Sequence, residues 1–365
     1  MKLNNNQQAF FVLVRAGLWE TEARLSQFND VDFSQVLKLA EEQSVVGLIA
    51  AGLEHVTDVK APKEELLQFV GQALQLEQQN SAMNNFIGVI VEKMRAASIY
   101  TLLVKGQGIA QCYERPLWRS YGDIDFYLSE SNYQLAKEYL KPLAAHLSEE
   151  DKKRLHIAIT IEPWIVELHG TLHSNFSRRM NKGLDEVHKS IFYGGDVRSW
   201  NNDGFTVFLP SVDNDVVIVF THFIQHFYVG GIGIRQICDW CRLLWTCRGK
   251  IDVVLLEKRL RKMDLLSEWK AFAAFTVNWL GMPVDAMPFH DGSKKYNRKA
   301  NSICKLIIDA GNLGHNIDES YRSKYSGLAG NLITFWRRLG EFLKIVSVFP
   351  RNTPKFFVGY VFSRL

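Results

Sequence analysis

Apolar residues in the first 97 positions recur at spacings of three and four, the period of an amphipathic helix. Phe10, Phe11, Leu13, Val14 and Leu18 form one such stripe. Val36, Leu37, Leu39 and Ala40 form a second, and the run from Val45 to Leu53 a third. From Glu64 to Ala97 the pattern continues without a proline, which predicts one long helix. Between about 98 and 210 the period shortens to two. Short apolar runs there predict strands at 99–104, 123–128, 156–161, 164–169 and 205–209, with helices near 107–113 and 131–146. Helical spacing returns after Ser211. It predicts helices from Val212 to Tyr228, from Ile232 to Cys247 after a Val-Gly-Gly break, and then over about 251–280, 294–312 and 326–349. The pattern divides the chain into a helical N-terminal region (1–97), a sheet-bearing core (98–210) and a helical C-terminal region (211–365). This is an α/β (α+β) organisation without internal repeats.

Composition narrows the class. A chain of 365 residues that is 47% hydrophobic can bury a substantial core. Lys and Arg total 43 against 39 Asp and Glu, so the net charge of +4 is small and spread along the chain, which argues little for nucleic acid as a partner. The five cysteines are an odd number without a disulfide-like spacing. The opening MKLNNNQQAFF lacks the pattern of a signal peptide, and no run approaches the ~18 apolar residues of a membrane span. A reduced, cytoplasmic protein is the expectation. The basic, aromatic C-terminal segment from Phe335 to Leu365 leaves two readings open: a docked terminal helix, or a surface helix lying against a membrane or a partner.

The chemistry concentrates in one run, LLVKGQGIAQCYERPLWRSYGDIDFYL, residues 102–128. A strand leads into a turn at Lys105, Gly106, Gln107 and Gly108, and a second strand carries Asp123 and Asp125. Strand side chains alternate faces, so the two carboxylates project side by side while Ile124 and Phe126 pack on the other face. Adjacent carboxylates repel unless a cation lies between them, and Mg2+ or Mn2+ suits an all-oxygen set completed by water and phosphate. Backbone amides where a turn enters a helix bind phosphate. Together these features predict a metal-dependent site for an NTP such as ATP. Arg119, four residues before Asp123, reads either as a bidentate triphosphate ligand or as an ion pair that holds the aspartates. Arg115, in a loop with Pro116, reads as solvent-facing.

This order of strand, Lys-Gly turn, short helix, Arg119 and Gly-Asp-Ile-Asp resembles the nucleotidyltransferase-5 family of uncharacterised nucleotidyltransferases, within the DNA polymerase β-like superfamily. The resemblance is strongest over roughly 98–240. It implies a polymerase β-like core with a small mixed sheet, and transfer of NMP from an NTP to an acceptor hydroxyl or phosphate. Lys105 and the amides of Gly106 to Gly108 would cradle phosphates, with Gln107 standing where the superfamily usually places Gly or Ser. Such sites use a third acid on a neighbouring strand. Glu167 fits, because an acid on an otherwise apolar strand has to be paired or metal-bound. Glu162 is the rival, although Pro163 marks a strand end there. His169, on the same face as Glu167, orients that acid, touches substrate or is simply structural. Two other outcomes stay open: a non-catalytic nucleotide-binding module, and a macromolecule-modifying enzyme that AMPylates protein or modifies tRNA. A small-molecule or protein acceptor suits the modest charge better than nucleic acid.

A second cluster lies in THFIQHFYVGGIGIRQICDWCRLL. His222, His226, Cys238 and Cys241 have zinc-like spacing, but they sit on amphipathic helices where cysteine usually packs as a small hydrophobe. The stronger expectation is that they hold no zinc. His222, Arg235 and Asp239 resemble the family's His…Arg…Asp pattern, which implies a polar wall facing the core, with Arg235 on the nucleotide. An i, i+4 ion pair between Arg235 and Asp239 accounts for those two equally well.

Overall fold

The computed structural model describes residues 3–174, 177–229, 231–312, 340 and 342–356. Four helices open the chain: α1 (Asn5–Trp19), α2 (Phe33–Glu42), α3 (Val46–Glu54) and α4 (Lys63–Ala96). Asn4 starts α1 with a reciprocal capping box to Gln7. The 34-residue α4 follows Pro62, with Glu64 and Glu65 in its first turn and Lys93 and Arg95 in its last, each sign complementing the helix dipole.

The core then runs β1 (Leu102–Val104), α5 (Gly106–Ala110), β2 (Ile124–Tyr127), α6 (Glu130–Leu140), β3 (His146–Leu147), β4 (His156–Ile161) and β5 (Trp164–His169). After it come α7 (Arg178–Phe192) and the hairpin β6 (Val197–Asn202) and β7 (Phe205–Pro210). The five strands β1 to β5 form a mixed sheet in the order β1-β2-β5-β4-β3. Only the β2–β5 pairing is parallel, and it sets Asp125 beside Glu167. The chain continues through α8 (Val212–Val229), α9 (Ile234–Thr246), α10 (Val253–Met263), α11 (Leu266–Leu280) and α12 (Lys294–Ala310).

Several expected elements change. The helix expected over 107–113 stops at Ala110, and that over 131–146 stops at Leu140 before β3. The helix expected over 251–280 is two, because Asp264 turns left-handed at φ 62° and ends α10. The helix α7 and strand β6 were not expected. Few apolar residues mark α7, yet Met180, Leu184, Val187 and Ile191 are buried along one face. Asp203 and Gly204, both at positive φ, turn β6 into β7 as a two-residue hairpin. The helix expected over 326–349 lies mostly outside the described residues, as does most of the basic C-terminal segment. Among the described residues no helix is long and apolar enough to cross a membrane. All five cysteines are free and buried.

Two apolar clusters organise the molecule. One buries the inner face of the sheet against the C-terminal half of α4 and α6, around Ile87, Ile124, Phe126, Val166 and Leu168. The other joins α1 to α3 with α8 to α12, so helices from both ends of the chain share one core. Arg15 and Trp19 of α1 donate to the carbonyls of Trp279 and Leu280, fastening these two ends together. The α4 helix enters both clusters, with Phe69 and Ala73 in one and Met83 to Met94 in the other.

At the junction, fully buried Asn80 of α4 donates to the carbonyls of Leu117 and Arg119 and accepts from Gln107. It thereby fixes the segment between α5 and β2. Asn80→Ala strands these groups, each at a cost of about 1–3 kcal/mol. The midpoint of chemical denaturation is expected to drop by the equivalent of at least about 2 kcal/mol. An unchanged midpoint would remove Asn80 from this role.

Candidate functional site

Sheet register assembles an acidic centre. Asp125 on β2 lies opposite Glu167 on parallel β5, and Asp123 immediately precedes β2. One carboxylate oxygen from each of Asp123, Asp125 and Glu167 lies within 4.8 Å of the other two. The alternate residues Ile124, Phe126, Val166 and Leu168 are buried beneath, so the period of the two strands sends their acids to one face. Glu162 sits exposed in the β4–β5 turn and is not part of the group.

Lys105 and two histidines lie against this charge. Lys105 Nζ lies 2.6 Å from Asp125 Oδ1, and His169 Nε2 lies 2.8 Å from the same oxygen and 3.3 Å from Glu167 Oε2. His156 on β4 reaches Glu167 Oε2 at 3.2 Å. Burial opposes the charge on Asp125, but Lys105 and His169 outweigh it and hold the carboxyl below its usual range. Burial likewise opposes the charge on Glu167, and hydrogen bonds from His156 and His169 reverse the effect. For Asp123 the balance is reversed: the charge of Asp125, followed by burial, outweighs Lys105 and pushes it up to about 6.

Lys105 itself has φ 60° and ψ −150°, a conformation that ordinarily belongs to glycine and costs of order 1–3 kcal/mol. Gly106 follows at φ 41°, and a Cβ there would sit 3.6 Å from the Asp123 carbonyl. The strained turn brings the ammonium over the carboxylates.

Helices α8 and α9 form the opposite wall of a cleft lined by Lys105, Asp123, Glu167, His222, His226 and Arg235. His222, kept well below its usual pKa by burial and then by Lys105, is neutral, and its Nδ1 lies 3.4 Å from Lys105 Nζ. Its Nε2 lies 3.1 Å from His226 Nε2, within hydrogen-bond distance. Arg235 Nη1 donates to the carbonyls of Ser120 and Tyr121, at 3.1 and 2.7 Å, tying α9 to the loop before Asp123.

Some expectations need correcting. Arg119 forms a buried bidentate pair with Asp239, at 2.8 and 2.7 Å, and Tyr113 donates to the same carboxylate. Arg119 therefore spans core and helical wall, and pairs neither with Asp123 nor with Asp125. Of the two readings for Arg235, the i, i+4 pair with Asp239 does not form among the described residues, where Asp239 takes Arg119 and Tyr113 of the core as partners. The Gln107 side chain points away from the cleft into α4, donating to Asn80 and Asn84. Gly108 is buried against Leu209, leaving Lys105 and Gly106 as the turn residues in the cleft. Arg115 pairs with Glu54 at the surface and stacks on Trp118. His222 and His226 face the cleft, whereas Cys238 and Cys241 are buried in the helical core. Sequence reasoning missed His156, although its alternation with Ala158 on an apolar strand was the available signal.

A family model described as an uncharacterised nucleotidyltransferase matches residues 29–281, which include every residue lining the cleft. Neither the curated proteins nor the solved structures provide a match.

Two outcomes follow from this network. Asp125→Asn removes the largest influence on Asp123, so a carboxyl titration followed by 13C NMR in metal-free protein should show the Asp123 pKa falling from about 6 toward its ordinary value of 3.8. A titration that stays near 6 would point to burial as the dominant cause. Arg119→Met leaves Asp239 charged and buried, which costs roughly 3–5 kcal/mol in other proteins. The melting temperature should drop accordingly, and an unshifted one would show the pair to be dispensable.

Proposed function

Because the chain belongs to the family of uncharacterised nucleotidyltransferases, we propose that it is a metal-dependent enzyme transferring NMP from an NTP to an acceptor hydroxyl or phosphate, with release of pyrophosphate. The observation that carries this reading is the convergence of Asp123, Asp125 and Glu167 on the floor of a two-walled cleft. A β1–turn–α5–β2 passage bearing Asp-x-Asp, with a third acid on the neighbouring β5, supports a polymerase β-like core.

Three hard oxygen donors that close together fit Mg2+ or Mn2+, and Asp123, Asp125 and Glu167 would hold it. Such ions neutralise triphosphate charge and lower the pKa of an acceptor hydroxyl. The chain's own groups do the rest. Lys105 supplies an ammonium on the same floor to offset phosphate charge, and Gly106 lets the backbone approach. Arg235 lines the cleft from the far wall and, through the Ser120 and Tyr121 carbonyls, holds the loop that presents Asp123. Helices α8 and α9 shield the floor from water, which strengthens each of these interactions. A small molecule or a protein is the proposed acceptor, since the net charge of +4 is small for a nucleic-acid partner.

The test is pyrophosphate release with ATP, GTP, CTP and UTP in Mg2+ or Mn2+, against metabolite, protein and tRNA acceptors. Asp123→Ala should abolish turnover while keeping the fold, because Asp123 makes no ion pair among the described residues. Asp125→Ala should abolish it and also lower the melting temperature, since Lys105 and His169 lose their anion. Full activity in either variant or in excess EDTA rules out the mechanism, and NTP binding without turnover on any acceptor leaves a nucleotide-binding module. Arg235→Ala should weaken NTP affinity by on the order of tenfold, read by calorimetric titration. Undiminished affinity would take Arg235 out of the nucleotide wall.

A further inference from the structure

Glu167 belongs to two groups. Besides the aspartates, it faces His156 and His169, and one ligand atom from each of these three also lies within 4.8 Å of the others. The β4–β5 register builds this second group. His156 lies directly opposite His169, and Glu167 lies opposite Ala158, whose methyl leaves the diagonal open for His156 to reach across. Both imidazoles present Nε2 to the same oxygen, Glu167 Oε2, at 3.2 and 3.3 Å. Ligand atoms about 2.1 Å from one ion, at angles of 90–110°, stand about 3.0–3.4 Å apart, which matches these separations. All three side chains are partly accessible. His156 and His169 also line a second cleft, with Arg154, His173, Gln225 and His226, on the other side of Lys105 from Asp123.

We infer that His156, His169 and Glu167 form a nitrogen-bearing site for a borderline divalent ion such as Zn2+ or Co2+, opening toward this second cleft. Two imidazoles and one carboxylate on one face leave the remaining positions to water or substrate, an arrangement that suits such ions. Mg2+ prefers oxygen donors and retained water, so the aspartate side remains its place. Glu167, with two oxygens, serves both. His169 Nε2 also contacts Asp125 Oδ1 at 2.8 Å, so an ion at this site would take the place of that hydrogen bond. The inference concerns binding and stands whether or not the chain transfers nucleotides.

The experiment is titration of the chelator-stripped full chain with Co2+, Zn2+ and Mg2+, by calorimetry and by the visible absorption of bound Co2+. Wild type should take one equivalent of Co2+ or Zn2+ more tightly than Mg2+. His156→Gln, which keeps a donor for Glu167, should weaken Co2+ binding by on the order of 10–100-fold and alter the spectrum. Asp123→Asn should leave both nearly unchanged. Pulsed electron paramagnetic resonance of one equivalent of Co2+ on the wild-type chain should detect 14N coupling, a readout independent of how any variant folds. Four results would overturn the inference: Co2+ bound no more tightly than Mg2+; wild-type affinity and spectrum in His156→Gln; absence of 14N coupling; or loss of the ion in His226→Gln with retention in His156→Gln, which moves the ligands to α8.

Discussion

Three carboxylates within 4.8 Å of one another impose the constraint on which the rest of this structure depends. In water such charges repel modestly, but at the floor of a cleft they must be neutralised or protonated. The protein meets the demand with Lys105 and His169, one on each side of Asp125. The asymmetry between the aspartates follows. Asp125 is buried and paired, and stays ionised, whereas Asp123 at the rim is left to respond to its neighbour's charge.

Holding Lys105 there requires a backbone conformation that a side chain rarely adopts, and the surroundings must stabilise it. Gly106 continues the turn at a positive φ of 41°, and the following helix is anchored by Gln107 against Asn80 and Asn84 of α4. The same Asn80 grips the Arg119 carbonyl, while the Arg119 side chain crosses to Asp239 on α9. One continuous set of buried polar contacts thus runs from α4 through the turn at Lys105 to Gly108 to the helical wall. Buried pairs of this kind specify an arrangement more than they add stability, because desolvation offsets most of their attraction. The proposed roles of the site depend on that arrangement being fixed.

The helical wall is itself a product of distant sequence. Helices α1 to α3 and α8 to α12 share one core, so α8 and α9 are held against the sheet from both ends of the chain. His222 and His226 line the cleft as neutral groups, and the two clefts meet at Lys105 and these imidazoles.

Among the described residues, the sequence by itself carried most of the helices at either end, the strands other than β3 and β6, and the shared face of Asp123 and Asp125, with Glu167 legible as an acid on an apolar strand at the place where the family resemblance implies a third acid. Those are consequences of local periodicity: alternation within a strand decides which face a side chain takes, and an acid among apolar neighbours is legible without knowing the fold. Other elements were less visible. The polar composition of α7 hid its buried face, and Asp264 split a helix whose apolar spacing ran on unbroken. Only the tertiary structure decided that Arg119 belongs to Asp239 and not to the aspartates, that Gln107 turns into α4, and that His156 reaches Glu167 across the sheet. Each of these depends on which distant element is brought alongside. A cation close to several acids in sequence takes the partner that burial and geometry make available, and spacing along the chain carries no information about that choice.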